Sequence, residues 1–419
     1  MSVEKEVPEI RFKGFSGEWD SNSVGALCDF IVPGRNKPQI FNGDIPWVTT
    51  PDIMSNCVSK SKIGLAISKE EAKRVGAKIV PTNSIIISCV GDLGLVAKVD
   101  NDLIINQQLH AFIPKRNINN WFLLYELVTR KKYMENVATK TAVPYMNKDN
   151  CNSIPISFPE EKEQTQIGNY FQKLDTLINQ HQQKHDKLSS IKKAMLEKIF
   201  PKSGETVPQI RFKGFTGAWE EKGFSVCFAN IPNNTLSRAK LNYEAGMAKN
   251  IHYGDVLIKF DEVLDARKEV LPFITSDEVT NKLKHTALKN GDIIIADAAE
   301  DSTVGKCTEL FNVHEQLVFS GLHTIAVRPN LPFASKYLGY YLNSSSYHNQ
   351  LLPLMQGTKV LSISKTAIQN TNVKFPKSDK EQAAIGNYFQ KLDALINQHQ
   401  QQITKLNNIK QACLSKMFV

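Results

Sequence analysis

Residues 163–200, EQTQIGNYFQKLDTLINQHQQKHDKLSSIKKAMLEKIF, return almost unchanged as residues 381–418, EQAAIGNYFQKLDALINQHQQQITKLNNIKQACLSKMF. Over 163–183 against 381–401 only Thr165/Ala383, Gln166/Ala384 and Thr176/Ala394 differ. Such identity is the mark of internal duplication. A chain that closes each half with the same segment is a two-fold object.

Both segments read as helices. Ile167, Phe171, Leu174, Ile178, His181, His185, Leu188, Lys192, Met195 and Ile199 fall at alternating spacings of four and three, as do Ile385, Phe389, Leu392, Ile396, His399, Ile403, Leu406, Lys410, Cys413 and Met417. That is a heptad seam. Pro159 and Pro376 stand just ahead of the two starts, where proline is tolerated. At ~1.5 Å per residue each helix would be roughly 55 Å long. Near-identical helices in one chain pack most simply about a pseudo-dyad, antiparallel, with the two globular regions at opposite ends. Pairing of each helix with another protein is the alternative.

The halves also open alike: VPEIRFKGFSGEWD at 7–20 and VPQIRFKGFTGAWE at 207–220. Between the matching ends they diverge. Residues 84–90 (SIIISCV), 95–99 and Ile79-Val80 have the β-branched density of strands; 68–75 (SKEEAKRV) and 120–134 have helical patterning. The second centre has a similar outline, with Tyr253-Gly254-Asp255 leading into VLIKF, Asn290-Gly291-Asp292 into IIIA, a strand over 322–327 and a helix over 335–342. A looser echo aligns 84–88 with 292–296, and Gln108-Leu109-His110-Ala111-Phe112 with Gly321-Leu322-His323-Thr324-Ile325. The expected fold class is α+β: two similar mixed α/β domains separated by two long antiparallel coiled-coil-like helices. The boundaries are 1–158, 159–205 (first helix and turn), 206–375 and 376–419.

At 419 residues the chain suits more than one domain. No apolar run approaches the ~20 residues of a membrane span, and MSVEKEVPEI lacks the plan of a signal peptide, so a cytoplasmic protein is expected. Seven scattered cysteines without a C-x-x-C pair argue against disulfides and structural zinc. A formal charge of +9 favours a polyanionic partner.

Catalytic patterns are weak. No G-x-G-x-x-G follows a strand, and Glu300 stands where a phosphate loop ending at Gly305-Lys306 needs its first glycine. Pro51-Asp52 with Glu71-Ala72-Lys73 imitates a nuclease pattern, but a solvated helix face accounts for Glu71. Asp292, Asp297, Glu300 and Asp301 form an acidic cluster better read as a turn and solvated loop. His181 and His399 read as a polar layer that fixes helix register. No metal site and no catalytic residue is assigned.

What remains is binding. Candidates for a nucleic-acid face are Arg35, Asn36, Lys37, Thr49, Thr50, Asn106, Gln107, Gln108, Lys140 and Thr141 in the first centre. In the second they are Arg238, Lys240, Lys259, Gln356, Thr358 and Lys359. Arg and Lys neutralise phosphates or pair with guanine; Asn and Gln pair with adenine. Lys140-Thr141 and Thr358-Lys359 recur a short distance ahead of the two long helices.

The whole pattern resembles the specificity subunit of bacterial type I restriction-modification systems. The resemblance rests on the duplicated EQ...IGNYFQKLD helix, the openings P-x-I-R-F-K-G-F-x-G-x-W, the lead-ins SIPISFPEEKE (153–163) and NVKFPKSDKE (372–381), and GTKVLSISKTAI (357–368), with TAVPYMNKDN (141–150) as its looser counterpart. It implies a non-catalytic subunit with two target recognition domains, each reading half of an asymmetric split site on double-stranded DNA. The helices would set the spacer and dock two modification subunits. It places S-adenosylmethionine, ATP and Mg in modification and restriction partners, with no cofactor on this chain. An interaction scaffold that reads no DNA, or a stand-alone nuclease or methyltransferase, are the competing expectations.

Overall fold

Both long helices form as uninterrupted runs, Glu161–Lys198 and Asp379–Lys416, each of 38 residues. The structure is a computed structural model and describes residues 7–34, 36–313 and 316–419. The chain divides into two units, one of residues up to 182 with 400–419 and the other of residues 183–399. Each long helix therefore gives its N-terminal half to one unit and its C-terminal half to the other.

The duplicated opening motif is a clamp on the start of a long helix. In the first unit Arg11 donates from Nε and Nη2 to the two carboxylate oxygens of buried Glu163, both at 2.7 Å. In the second, Arg211 does the same to Glu381 at 2.7 and 2.8 Å. The glycines of the motif supply left-handed turns, with φ of +103° at Gly14 and +90° at Gly17. The turns deliver Trp19 edge-on to Phe122 and Phe418, and Trp219 to Phe200 and Tyr337.

The repeated Glu-Gln pair also has a physical cause. Gln164 accepts from the Asn119 backbone N–H at 3.0 Å and donates to the Pro159 carbonyl at 2.9 Å; Gln382 makes both bonds to Ala334 and Pro376 at 2.9 Å. One turn on, Gly168 faces the start of helix Asn120–Thr129 so closely that a Cβ would lie 2.8 Å from Asn119 Oδ1 and 2.9 Å from Trp121 Cβ. Gly386 faces the start of Tyr337–Asn343 at the corresponding place, less tightly, where a Cβ would lie 3.2 Å from the Ser335 carbonyl oxygen. Phe171 and Phe389 are then fully buried, each contributing roughly 2–3 kcal/mol of apolar transfer.

Within the first unit the two helix segments run antiparallel. Tyr170 Oη lies 3.5 Å from Cys413 Sγ, and Asp175 Oδ1 lies 2.6 Å from Lys410 Nζ. Within the second, Phe389 stacks on Phe200 and Asp393 meets Lys192 at 2.7 Å, again with numbers running in opposite directions. The seam positions Ile167, Phe171, Leu174, Ile385, Phe389 and Leu392 are buried, while Ile178, His181, Leu188, Ile396, His399 and Leu406 are half-buried.

Each unit carries one five-stranded sheet of common topology. The order is Cys28–Ile31, Leu109–Pro114, Ile85–Ser88, Val96–Val99, Cys57–Val58 in the first. In the second it is Phe228–Ile231, Thr324–Pro329, Ile293–Ala296, Cys307–Phe311, Val263–Asp265. All neighbours are antiparallel except the last pair, which is parallel in both. A second, four-stranded sheet pairs Ile45–Val48 with Leu103–Ile105, and Ala248–Ile251 with Leu317–Ser320, in parallel. Its outer strand differs: Ile79–Val80 joins Leu103–Ile105 in the first unit, whereas Leu241–Asn242 joins Phe273–Ile274 in the second.

Three local expectations change. The helix over 120–134 is two helices, Asn120–Thr129 and Lys131–Val137, broken at Arg130, whose guanidinium bonds back to buried Glu126 and to the Val419 carbonyl. The segment expected to extend from Asp255 is helix Tyr253–Ile258, because His252 Nδ1 caps the Gly254 N–H and Asp255 sits in the first turn. The echo between 108–112 and 321–325 is displaced by two residues. Leu109 pairs with Ser88 and Thr324 with Ala296, so Gln108 corresponds to His323 rather than to Gly321. A two-residue slip preserves the in-out alternation of a strand, which is why the sequence pattern permits it.

Candidate nucleic-acid interface

At the end of each parallel strand pair, loops from distant parts of the sequence converge on one polar rim. In the first unit the Asn106 N–H donates to the Val48 carbonyl at 3.0 Å and turns residues 106–108 outward. Asn106 Nδ2 donates to Gln108 Oε1 at 3.1 Å, Thr50 Oγ1 to the same oxygen at 3.2 Å, and Gln107 Nε2 to the Gly34 carbonyl at 3.1 Å. The loop bearing Lys140 and Thr141 joins this rim, because the Met146 N–H donates to the Cys89 carbonyl and the Cys89 N–H to the Gln108 carbonyl.

Equivalent bonds build the rim of the second unit. The Gly321 N–H donates to the Ile251 carbonyl at 2.8 Å, the Asp297 N–H to the His323 carbonyl at 3.2 Å, and the Ile363 N–H to the Asp297 carbonyl at 2.8 Å. Residues 356–362 form a hairpin tip closed by mutual Gln356 and Ser362 backbone bonds. Gly357 is required there: its φ is +112°, and a Cβ would lie 2.0 Å from the Val360 carbonyl oxygen.

The predicted residues differ in how they are held. Asn36, Lys37, Gln107, Gln108, Lys140, Thr141, Arg238, Lys240, Lys259, Gln356, Thr358 and Lys359 are exposed; Thr49, Thr50 and Asn106 are half-buried; Arg35 lies outside the described residues. Two hydroxyls are engaged in local structure. Thr49 donates to Asp52 at 2.8 Å in a capping turn, and Thr141 donates to the Val143 carbonyl at 2.7 Å. Arg238 and Lys259 converge on buried Asp255, at 3.2 and 3.0 Å from its Oδ1. That carboxylate raises the Lys259 pKa, and the lysine still presents half of its side chain to solvent.

Residues absent from the sequence-based selection complete the second rim. Tyr253 packs edge-on to His323 with centroids 5.3 Å apart, and the adjacent His252 ring is tilted against it at 4.6 Å. Burial pushes the His252 imidazole pKa down, with Arg238 adding to the effect. Asp297 holds His323 Nδ1 at 3.2 Å; burial raises the carboxyl pKa and His323 opposes it. The correct strand register, which places His323 opposite Gln108, is the signal that finds this group.

The catalytic imitations dissolve in three dimensions. Glu71 is buried, not solvated: it accepts from the Gln39 and Ile40 N–H groups and pairs with Arg74, which holds its pKa down at about 2. Asp52 is occupied by Thr49, Ser61 and the Lys62 N–H. Asp292, expected on a solvated turn, is buried in a two-pronged pair with Arg328 at 2.7 and 2.8 Å. Among the described residues no three His, Cys, Asp or Glu side chains are grouped to hold a metal, and no helix is long and apolar enough to cross a membrane.

The duplicated architecture agrees with what comparison finds. The chain belongs to the family of type I restriction modification DNA specificity domains, whose model matches residues 18–190 and again 233–408. It is 22% identical to the type I restriction enzyme MjaVIII specificity subunit of Methanocaldococcus jannaschii, over 98% of this chain and 95% of that one. It is 23% identical to the MjaIX specificity subunit of the same organism, where the match spans 45% of each chain. The crystal structure of the type I restriction-modification S subunit from M. genitalium superposes with a TM-score of 0.58 over 99% of both chains, at 14% identity, a likeness of fold.

Proposed function

We propose that this chain is the DNA-reading subunit of a type I restriction-modification complex, and that its two units read the two different halves of a split, asymmetric site. The observation that carries this reading is the pair of rims. A common sheet topology and corresponding backbone bonds present Thr50, Asn106 and Gln108 in one unit and Tyr253, Gly321 and His323 in the other. Side chains that change on a constant scaffold are what two different base sequences require. Lys37, Lys140, Arg238, Lys240, Lys259 and Lys359 supply positive charge for phosphates.

The long helices carry the second part of the proposal. Their duplicated exposed faces dock two modification subunits, which bind S-adenosylmethionine and methylate adenine, and restriction subunits join with ATP and Mg. At ~1.5 Å per residue a 38-residue helix is about 57 Å long, enough for half-sites about one DNA turn, ~34 Å, apart. Together with its modification partner the chain will protect one split sequence from footprinting reagents, with affinity falling steeply as salt rises. Uniform protection of all DNA would defeat the proposal.

A further inference from the structure

We propose that Gln108 and His323 occupy the same base-reading position in the two units, Gln108 offering hydrogen-bond donors to the DNA and His323 an acceptor. This rests on the DNA-reading function above and specifies its chemistry. The equivalence is set by backbone alone. Leu109 opposite Ser88 and Thr324 opposite Ala296 fix the register, and the carbonyls of Gln108 and His323 accept from the corresponding residues Cys89 and Asp297.

The polarity of each side chain follows from its neighbours. The Gln108 N–H donates to Asn106 Oδ1 at 3.2 Å, which turns the Asn106 amide so that Nδ2 faces Gln108 and donates to its Oε1. Thr50 Oγ1 donates to that oxygen as well. The Gln108 oxygen thus accepts from two donors, and Nε2 of this exposed residue makes no hydrogen bond among the described residues, which leaves its two N–H groups available. Those donors suit guanine O6 or thymine O4 in the major groove.

His323 is built the opposite way. The Asp297 carboxylate accepts, so Nδ1 carries the proton, and in the neutral imidazole Nε2 presents a lone pair. Nε2 has no hydrogen bond among the described residues, and Tyr253 packs against the ring. An outward acceptor suits the exocyclic amino group of cytosine or adenine. His323 has φ +54°, in the left-handed region, which Gln108 does not share.

The test uses the full chain assembled with its modification subunit, selecting from a randomised DNA pool that is then sequenced. Gln108→Glu replaces donors by an acceptor of the same shape, and should change one position of one half-site from guanine or thymine to cytosine or adenine. Gln108→Ala should lower discrimination at that position by roughly tenfold, and His323→Phe should do so at one position of the other half-site. The opposite half should be selected as in the wild type, which also reports that each variant is folded. Unchanged selection in Gln108→Glu and His323→Phe, changes in the same half-site, or loss of all binding in all three variants would overturn the proposal. A wild-type complex that selects no split sequence would defeat the DNA-reading function itself.

Discussion

Lys410 Nζ lies 2.6 Å from Asp175 Oδ1, and both side chains are more than four-fifths buried. Tyr125 Oη donates to the other oxygen of the same carboxylate at 2.6 Å. The second unit repeats the arrangement as Lys192, Asp393 and Tyr340, with distances of 2.7 and 2.6 Å. Lysine and aspartate of the two helices thus pin their register within each unit. Removing one partner leaves a poorly solvated charge, so Lys410→Ala should destabilise the first unit by about 3 kcal/mol. Urea unfolding of Lys410→Ala, Asp175→Ala and the double variant would measure a coupling of roughly 1–3 kcal/mol, and additive single effects would refute the register role.

The arginine clamp should be equally sensitive. Glu163 is fully buried, and its two oxygens are matched by the Arg11 fork. Arg11→Ala should cost about 3–5 kcal/mol, and Arg11→Lys should recover less than half, because a lysine offers a point charge in place of a planar two-donor fork. Thermal unfolding of the two variants beside Arg211→Ala checks the prediction in both units.

A buried carboxyl gives the second unit a pH dependence of defined sign. Burial raises the pKa of Glu309 to about 7, opposed by the backbone N–H groups of Gly339 and Lys336. Its ordinary value is about 4.3, so between about pH 4.3 and pH 7 the folded state binds more protons than the unfolded state. The stability contributed by the neutral acid is fully present below that window and is lost as pH rises through about 7. Glu309→Gln should remove this fall, seen as a flatter stability-against-pH curve relative to wild type.

Phosphate contacts should separate by unit. Lys140 and Lys359 stand on corresponding loops beside the two rims, and both are exposed. Lys140→Ala and Lys359→Ala should each weaken DNA binding across all sequences and reduce the slope of log affinity against log salt by about 1. Footprints of the two variants should weaken over opposite half-sites.

The spacer should follow the helix. Insertion of one heptad between Asp175 and Lys192 adds about 10 Å of helix while preserving the apolar face. The half-sites selected by such a variant should lie about three base pairs further apart. Selection of an unaltered spacing would refute the role of the helix as a ruler.

Much of this molecule is written in local sequence. Duplication and helix length follow from periodicity and identity, since helical spacing is a property of the pattern itself, whereas the antiparallel pairing expected from a pseudo-dyad is shown by contacts such as Asp175 to Lys410 and Asp393 to Lys192. The β-branched runs at 85–88, 96–99 and 293–296 are strands for the same reason. The Arg-Phe-Lys-Gly-Phe motif announced itself by repetition, although its work on Glu163 and Glu381 did not, because the partners lie 152 and 170 residues away.

Tertiary structure decided what pattern left degenerate. A strand shifted by two residues keeps the same face inward, so only the hydrogen-bonded register could place His323 rather than Gly321 opposite Gln108. Charge type does not reveal burial, so Glu71 and Asp292 read as surface residues although Arg74 and Arg328 pair with them in the fold. The sequence by itself determined a duplicated architecture with two long helices, because each helix is specified by contacts at short and regular spacing. The fold alone decided which side chains share a rim, because those contacts join loops brought together by two sheets.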